Sequence, residues 1–217
     1  MKKSMFIVIV LLVTLFATIS CNQKPINEVQ IGNQIWMTKN LDVDTFKNGD
    51  QLYAALSYEE WVYAIKNQIP AWCFYNFNPE NGVLFGRLYN WYAVNDDRGL
   101  CSDGWHVPSD EEWTILEDFL GGKKIAGDKL KSIDLWANND NGISGNGSNE
   151  SGFDGKPGGV LEEGKSKYKG ERGYWWSSTQ NDNYQSWYRY LNYNNGDIKR
   201  YTHGKSVGMS VRCIRNY

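Results

Sequence analysis

The chain has 217 residues, a formal net charge of −2 and a mean hydropathy of −0.58. This slightly acidic balance argues against nucleic acid or an anionic membrane surface as a partner. Aromatic residues are unusually frequent, with 10 Trp, 14 Tyr and 8 Phe. Two interpretations stay open: a core packed with large rings, and an exposed aromatic surface that stacks on sugars or on another partner.

Residues 1–20 have the pattern of a secretory signal. Lys2 and Lys3 give a basic start, residues 6–16 form an apolar run, and small residues precede Cys21. The apolar run is too short for a comfortable transmembrane helix. We therefore predict that residues 1–20 are a signal peptide and are not part of the fold.

Cys21 and the polar residues that follow it resemble the cleavage site of a bacterial lipoprotein. The resemblance makes Cys21 the lipidated N-terminus of the mature chain, residues 21–28 a tether, and residues 29–217 a single domain. Acyl chains on Cys21 would anchor the protein. We expect a cell-envelope lipoprotein of the outer membrane, on either its periplasmic or its surface face. The alternative is plain secretion with an incidental cysteine.

The first predicted elements of the domain are a hairpin and a short helix. Residues 29–31 and 34–37 alternate in hydrophobicity around the turn Gly32-Asn33, a pattern typical of a β-hairpin. Ser57 with Glu60 matches a capping box, which predicts a helix that ends before Pro70. Residues 72–75 and 88–94 follow as aromatic, mostly extended stretches.

The strongest helix signal begins at Ser109. Ser109 and Glu112 form a second capping box, and Pro108 stops the extended segment before it. Trp113, Leu116 and Leu120 then recur at helical spacing and predict one apolar face.

The last third of the chain reads as a long loop followed by strands. Residues 138–159 are rich in Asn, Gly, Ser and Asp and predict a loop within the domain. Residues 174–178 predict a strand, and residues 187–193 and 198–201 predict a hairpin with Asn195-Gly196 at its turn. Residues 207–213 alternate apolar with polar or small side chains, which predicts a final strand with Cys213 facing inward.

Five blocks in this order resemble one family, the Fibrobacter succinogenes major paralogous domain of bacterial surface and secreted lipoproteins. The blocks are residues 31–37 with Asn40-Leu41, residues 86–93, Cys101 with residues 104–110, residues 174–179, and residues 210–213. The resemblance implies an α+β, C-type lectin-like domain with two main helices, antiparallel sheets and long irregular loops. Within that fold the family is similar to formylglycine-generating enzymes.

The resemblance also bears on the cysteines. Long-range disulfides are common in lectin-like folds, and an exported chain permits them. If Cys21 is lipidated, three thiols remain. We expect a bridge between Cys101 and Cys213, which would tie the two ends of the domain together, and we expect Cys73 to be free and buried.

Neither catalysis nor a metal site is expected. Formylglycine-generating enzymes need a cysteine pair, whereas only Cys73 would be spare here, and the two histidines are His106 and His203. We expect a structural hydrogen bond from His106. The calcium motifs of many lectins are missing, so loop 138–159 is expected to be a solvated loop, although it could still donate oxygen ligands to a weak calcium site. No cofactor is predicted.

Binding is the remaining function. Trp175, Trp176, Tyr188 and Tyr190 fall on neighbouring predicted strands, and we predict that they carry a site for an extracellular glycan or a surface protein. Trp187 and Leu191 make the other face more apolar, so we expect the tyrosines to be exposed. Alternatives are a structural surface protein without a small ligand, a sheet packed on both faces, and an enzyme related to formylglycine-generating enzymes.

Overall fold

A computed structural model describes residues 27–216 of the chain. The predicted signal peptide (1–20), the predicted lipidation site Cys21 and most of the predicted tether lie outside these residues. The strands are β1 (Glu28–Ile31), β2 (Gln34–Met37), β3 (Tyr53–Ala54), β4 (Ala71–Cys73), β5 (Leu88–Tyr89), β6 (Trp105–His106), β7 (Val160–Glu162), β8 (Lys165–Lys167), β9 (Arg172–Gln180), β10 (Gln185–Asn192), β11 (Ile198–Gly204) and β12 (Ile214–Arg215). The α-helices are α1 (Tyr58–Lys66), α2 (Glu80–Phe85), α3 (Trp91–Val94), α4 (Asp110–Phe119) and α5 (Ala126–Leu130).

The strands form several small sheets in an α+β arrangement, as predicted. The longest strands make a three-stranded antiparallel sheet in the order β11-β10-β9, here called the central sheet. A second sheet, β1-β2-β12-β6, pairs the first strands of the domain with the last one. The remaining sheets are β3-β4-β5, in which β3 and β4 are parallel, and the hairpin β7-β8. Helices α1 and α4, with nine and ten residues, are the longest in the described part.

Local signals explain the best-predicted elements. Gly32 turns the β1–β2 hairpin with a φ of 61°, a conformation that glycine adopts without steric cost. Ser109 and Glu112 make both halves of the capping box that starts α4. Ser57 caps α1, but the Glu60 carboxylate accepts from Leu56 N–H (2.6 Å), so only half of the capping box predicted for Ser57 and Glu60 forms.

Two of the strand predictions were partly wrong. Residues 88–94 are extended only at β5, because Asn90 then caps α3 through its side chain and the chain turns into a helix. Residues 207–213 form isolated bridges, and the last strand is only the two residues of β12. All residues from Val207 to Cys213 are buried, so Cys213 does face inward, but the alternate side chains are covered as well.

Three of the five blocks that carry the family resemblance meet in one buried network around Arg212. The Arg212 guanidinium is fully buried and donates to Met37 O, Phe153 O and Asn40 Oδ1. Asn40 Oδ1 also accepts from Trp175 Nε1 at 2.8 Å. Burial lowers the pKa of Arg212. One cation thus holds three oxygen acceptors from distant segments, two main-chain carbonyls and one side-chain amide oxygen.

Candidate functional site

The predicted binding tryptophans lie in the core. Trp175 is 1% exposed and Trp176 is completely covered. The Trp175 ring packs edge-on against Phe153, and Trp176 Nε1 donates to Tyr89 O at 2.9 Å. Both indole rings are buried, and both N–H groups have hydrogen-bond partners inside the protein. The prediction that they contact a ligand was therefore wrong.

The exposure predicted for Tyr188 was also wrong. Tyr188 is only 8% exposed, and Tyr190 is half-buried. Both lie on one face of the central sheet, where the Tyr190 ring stacks on Tyr174 and on Tyr201 at centroid distances of 5.4 and 6.0 Å. The opposite face is covered too, since Arg189 points at α4 and is fully buried. The central sheet is therefore packed on both faces, the alternative left open by the sequence.

The expected disulfide is confirmed. Cys101 and Cys213 are bonded, with their Cα atoms 6.2 Å apart at a sequence separation of 112. Cys73 is free and buried, as expected. Burial raises the pKa of the Cys73 thiol, so the thiolate needed for nucleophilic chemistry is disfavoured.

His106 makes the structural hydrogen bonds expected of it. Its Nδ1 lies 2.7 Å from Asn216 Oδ1, and its Nε2 lies 2.9 Å from Glu112 Oε1. Glu112 is the same residue that closes the capping box at Ser109. The imidazole therefore links β6 to the start of α4.

Loop 138–159 is held by its own turns. Asn149 Oδ1 accepts from Asp154 N–H at 2.8 Å, and Lys156 Nζ pairs with the carboxylates of Asp134 and Asp154 at 2.6 and 3.1 Å. Among residues 27–216 there is no group of three His, Cys, Asp or Glu side chains that could hold a metal ion.

A polar cleft of about 700 Å³ lies at one end of the central sheet, where four segments meet. We call it the polar cleft. The segments are the turn between β9 and β10, the chain at and after α3, residues 204–206 at the end of β11, and the chain between α1 and β4. Its lining residues are Gln68, Pro70, Trp91, Tyr92, Asn95, Asp96, Asp97, Gln180, Asn183, Tyr184, Gly204, Lys205 and Ser206.

The floor of the polar cleft is held by buried and hydrogen-bonded side chains. Trp91 is buried, and its Nε1 donates to Ser177 O at 2.9 Å. Lys205 Nζ lies 4.7 Å from the centre of the Trp91 ring and donates to Gln180 Oε1 at 3.0 Å and Asn183 O at 3.1 Å. Lys205 thus fixes both the Gln180 amide and the turn beyond it.

The rim carries an exposed aromatic ring. Tyr184 is 81% exposed at the β9–β10 turn. Asp182 Oδ1 accepts from the N–H groups of Tyr184 and Gln185, each at 2.8 Å, and these two bonds hold the pKa of Asp182 below its usual range. The carboxylate therefore orders the turn that presents Tyr184, and the ring is held out to solvent by structured backbone.

The remaining wall supplies free polar groups. Asn95 and Asp97 are exposed, and Asp97 makes no ion pair with any described residue. Asp96, by contrast, forms an ion pair with Arg98, whose Nε lies 2.8 Å from Asp96 Oδ1. Amides, a free carboxylate and a ring on one surface can bind hydroxyl groups and stack on an apolar ring face.

Sequence reasoning missed the polar cleft. Tyr184 follows Asn181-Asp-Asn in a turn-rich stretch, and an aromatic residue in such a stretch is a signal for an exposed ring. Trp91 and Asn95 carried no comparable signal, because the helix α3 that positions them was taken for extended chain.

These features define an α+β domain with a preformed polar cleft between loops. The family comparison then identifies its kind: the chain belongs to the Fibrobacter succinogenes major domain family, whose model matches residues 29–215. No curated protein and no solved structure matches the chain. Within the described part, every helix is too short or too polar to cross a membrane.

Proposed function

We propose that this protein is a non-catalytic, lectin-like binding module on a lipid anchor in the cell envelope, and that its polar cleft binds an extracellular glycan. The observation that carries the proposal is the exposed ring of Tyr184 in one cleft with the side chains of Asn95 and Asp97, which are exposed and have no polar side-chain partner among the described residues. A surface protein as partner is the competing proposal, and the experiment below separates the two.

The chemistry of the polar cleft suits sugars. A pyranose presents hydroxyl groups that both donate and accept hydrogen bonds. Amide side chains can do both as well, and a carboxylate accepts from hydroxyl groups, so a neutral sugar can bind to this set. Its C–H face is apolar and stacks on an aromatic ring. Tyr loses little conformational entropy on binding, and the turn around Asp182 already holds Tyr184 in place.

The lectin-like fold and the anchor are parts of the same proposal. Two longer helices, small sheets, long loops and the bridge between Cys101 and Cys213 are features that a C-type lectin-like domain would have. The basic, apolar and small-residue pattern before Cys21 supports export and lipidation. A diacylglyceryl mass on the peptide that begins at Cys21 is the expected result of mass spectrometry on the membrane fraction.

A glycan array with the full-length chain in non-ionic detergent tests the binding. We expect selective binding, and we expect Tyr184→Ala to weaken it by about 1–3 kcal/mol, the loss typical of an aromatic anchor. Tyr63→Ala is the matched control, since Tyr63 is 54% exposed on α1 and does not line the polar cleft. Absence of glycan binding by the wild type, or equal binding by the two variants, would contradict the proposal. Capture of a protein by the wild type alone would support the competing one.

A further inference from the structure

A second, smaller cavity lies on the tyrosine-bearing face of the central sheet. Its volume is about 170 Å³, below the roughly 300–1,000 Å³ of most small-molecule pockets, so it suits a single functional group. We call it the tyrosine pocket. The residues that line it are Val160, Glu162, Tyr168, Arg172, Tyr174, Tyr188 and His203.

Arg172 in the tyrosine pocket has more donors than partners. Its one side-chain hydrogen bond within the described residues runs from Nη1 to Tyr174 Oη at 3.3 Å. Its Nε is buried without a partner, and its guanidinium carbon lies 4.2 Å from the centre of the Tyr168 ring. A buried or half-buried guanidinium usually pairs with a carboxylate. Arg172 forms no ion pair with any acid among the described residues.

The acid in the tyrosine pocket, Glu162, is already compensated. Lys167 Nζ and His203 Nε2 each lie 2.8 Å from one of its carboxylate oxygens. Gly204 N–H donates to His203 Nδ1 at 2.8 Å, so Nδ1 carries no proton and Nε2–H is the donor to Glu162. The hydrogen bond from Lys167, followed by that from His203, lowers the pKa of Glu162. Because Lys167, which lies outside the lining, compensates Glu162, the charge of Arg172 in the tyrosine pocket is left without a counter-ion among the described residues.

Phenol groups complete the wall. Burial raises the pKa of Tyr174 to about 12 and also raises the pKa of Tyr188, so both stay protonated at neutral pH and keep an O–H donor. Tyr188 lines the tyrosine pocket with its ring covered by Trp176 and Tyr190. Hydroxyl and guanidinium donors converge on one small space in an otherwise acidic protein.

We propose that the tyrosine pocket binds an oxyanion, the carboxylate or sulfate group of an acidic ligand, with Arg172 as its cationic partner and Tyr188 as a hydroxyl donor. A planar guanidinium donates two parallel hydrogen bonds to such a group, and charge-assisted bonds of this kind are the strong ones. The donors of Arg172 that have no partner in the tyrosine pocket, above all those of Nη2, are then satisfied. This site is separate from the polar cleft and does not depend on the glycan proposed there.

Matched ligands test the proposal with the full-length chain in non-ionic detergent. Calorimetric titration compares glucuronate with glucose, which share a ring and differ in the carboxylate, and sodium sulfate with sodium chloride at equal ionic strength. We expect binding of glucuronate and sulfate to the wild type, and no measurable binding of glucose or chloride at this site. Stronger binding of glucuronate than of sulfate would identify the carboxylate as the oxyanion that the tyrosine pocket prefers.

Two variants locate the binding. Arg172→Gln keeps hydrogen-bonding groups but removes the charge and should weaken anion binding at least about tenfold. Tyr188→Phe keeps the ring and should weaken it by about threefold to tenfold. Arg98→Gln is the control, because Arg98 also stacks on a ring, Phe46, but lies outside the tyrosine pocket.

The outcomes are decisive for the tyrosine pocket alone. Equal affinity of the wild type for glucuronate and glucose, with no response to sulfate, overturns the proposal, and so does wild-type anion binding by Arg172→Gln. If Arg172→Gln does not fold, wild-type anion binding by Tyr188→Phe overturns it instead. Tyr184→Ala, which alters only the polar cleft, should bind the anions as the wild type does, so failure at either site is recognised separately.

Discussion

Arg189 shows how a single buried charge settles the orientation of a strand. It lies on the same face of β10 as Trp187 and Leu191, where an arginine contradicts an apolar pattern. Its Nη1 pairs with Asp110 Oδ1 at 2.5 Å, and its Nη2 donates to Thr114 Oγ1 at 3.1 Å, both on α4. The sequence predicted the burial of Leu191 correctly, but Trp187 on the same face is only half-buried, and Tyr188 on the other face is buried. The sequence could not reveal the acid that makes the arginine tolerable, because that acid lies on another element far along the chain.

Removal of that acid should be costly. Burial alone would raise the pKa of Asp110, but hydrogen bonds from Arg200 and Arg189 lower it overall, so the carboxylate stays charged. Asp110→Asn leaves Arg189 buried without its main counter-ion and should lower the free energy of unfolding by about 3–5 kcal/mol. Urea denaturation measures the change. Glu111→Gln, on the exposed side of the same helical turn, should cost less than about 0.5 kcal/mol. Similar losses in the two variants would argue against the buried pair.

Elements were predictable where the signal is local and were missed where it is tertiary. The capping box of α4 and the Asn-Gly turn before β11 are each complete within a few residues. Helix α3 depends on Asn90, whose Oδ1 accepts from Ala93 N–H and also from Ala71 N–H on β4. A cap shared with another element leaves no distinct pattern in the sequence around it. The same holds for residues 207–213, which touch several sheets and complete none.

The hydrogen bond between β6 and α4 should make stability depend on pH. The bond to Glu112 raises the pKa of His106 above its ordinary value, so the contribution is full below the unfolded pKa of about 6.5 and is lost as pH rises through the folded value. The wild type should therefore exceed His106→Asn in stability by more at about pH 5.5 than at about pH 8.5. Denaturant titrations of both proteins at the two pH values measure it. A difference that does not change with pH would show that the imidazole acts only by packing.

At the scale of the whole molecule, the polar cleft illustrates what sequence patterns leave out. Its walls come from the chain around α3, from the β9–β10 turn and from the end of β11. Each segment is unremarkable by itself, and only the fold places Trp91, Lys205 and Tyr184 together. The family resemblance, by contrast, was visible in the sequence because the network around Arg212 fixes the residue types of several blocks at once. Buried polar networks constrain sequence more strongly than a solvent-exposed cleft does.

The disulfide should contribute strongly to stability. A bridge that closes a loop of 112 residues restricts the unfolded chain, and the chain-entropy model gives about 4–5 kcal/mol for such a loop. Replacing both Cys101 and Cys213 by serine should therefore lower the free energy of unfolding by up to that amount. Cys73→Ala is the control, a buried thiol outside any bridge that should cost far less. Equal denaturation midpoints for the double variant and the wild type would refute the expectation.

The pairing of β2 with β12 places the start and the end of the domain side by side, and Glu28 and Arg215 form an ion pair there. Adjacent termini make a domain portable: it can be inserted into a surface loop of another protein, or repeated in tandem, without pulling its own first and last strands apart. They also make it a good subject for circular permutation. A short linker could join residues 28 and 215, and a new opening at the exposed turn of residues 139–142 would leave both the bridge and the sheets intact.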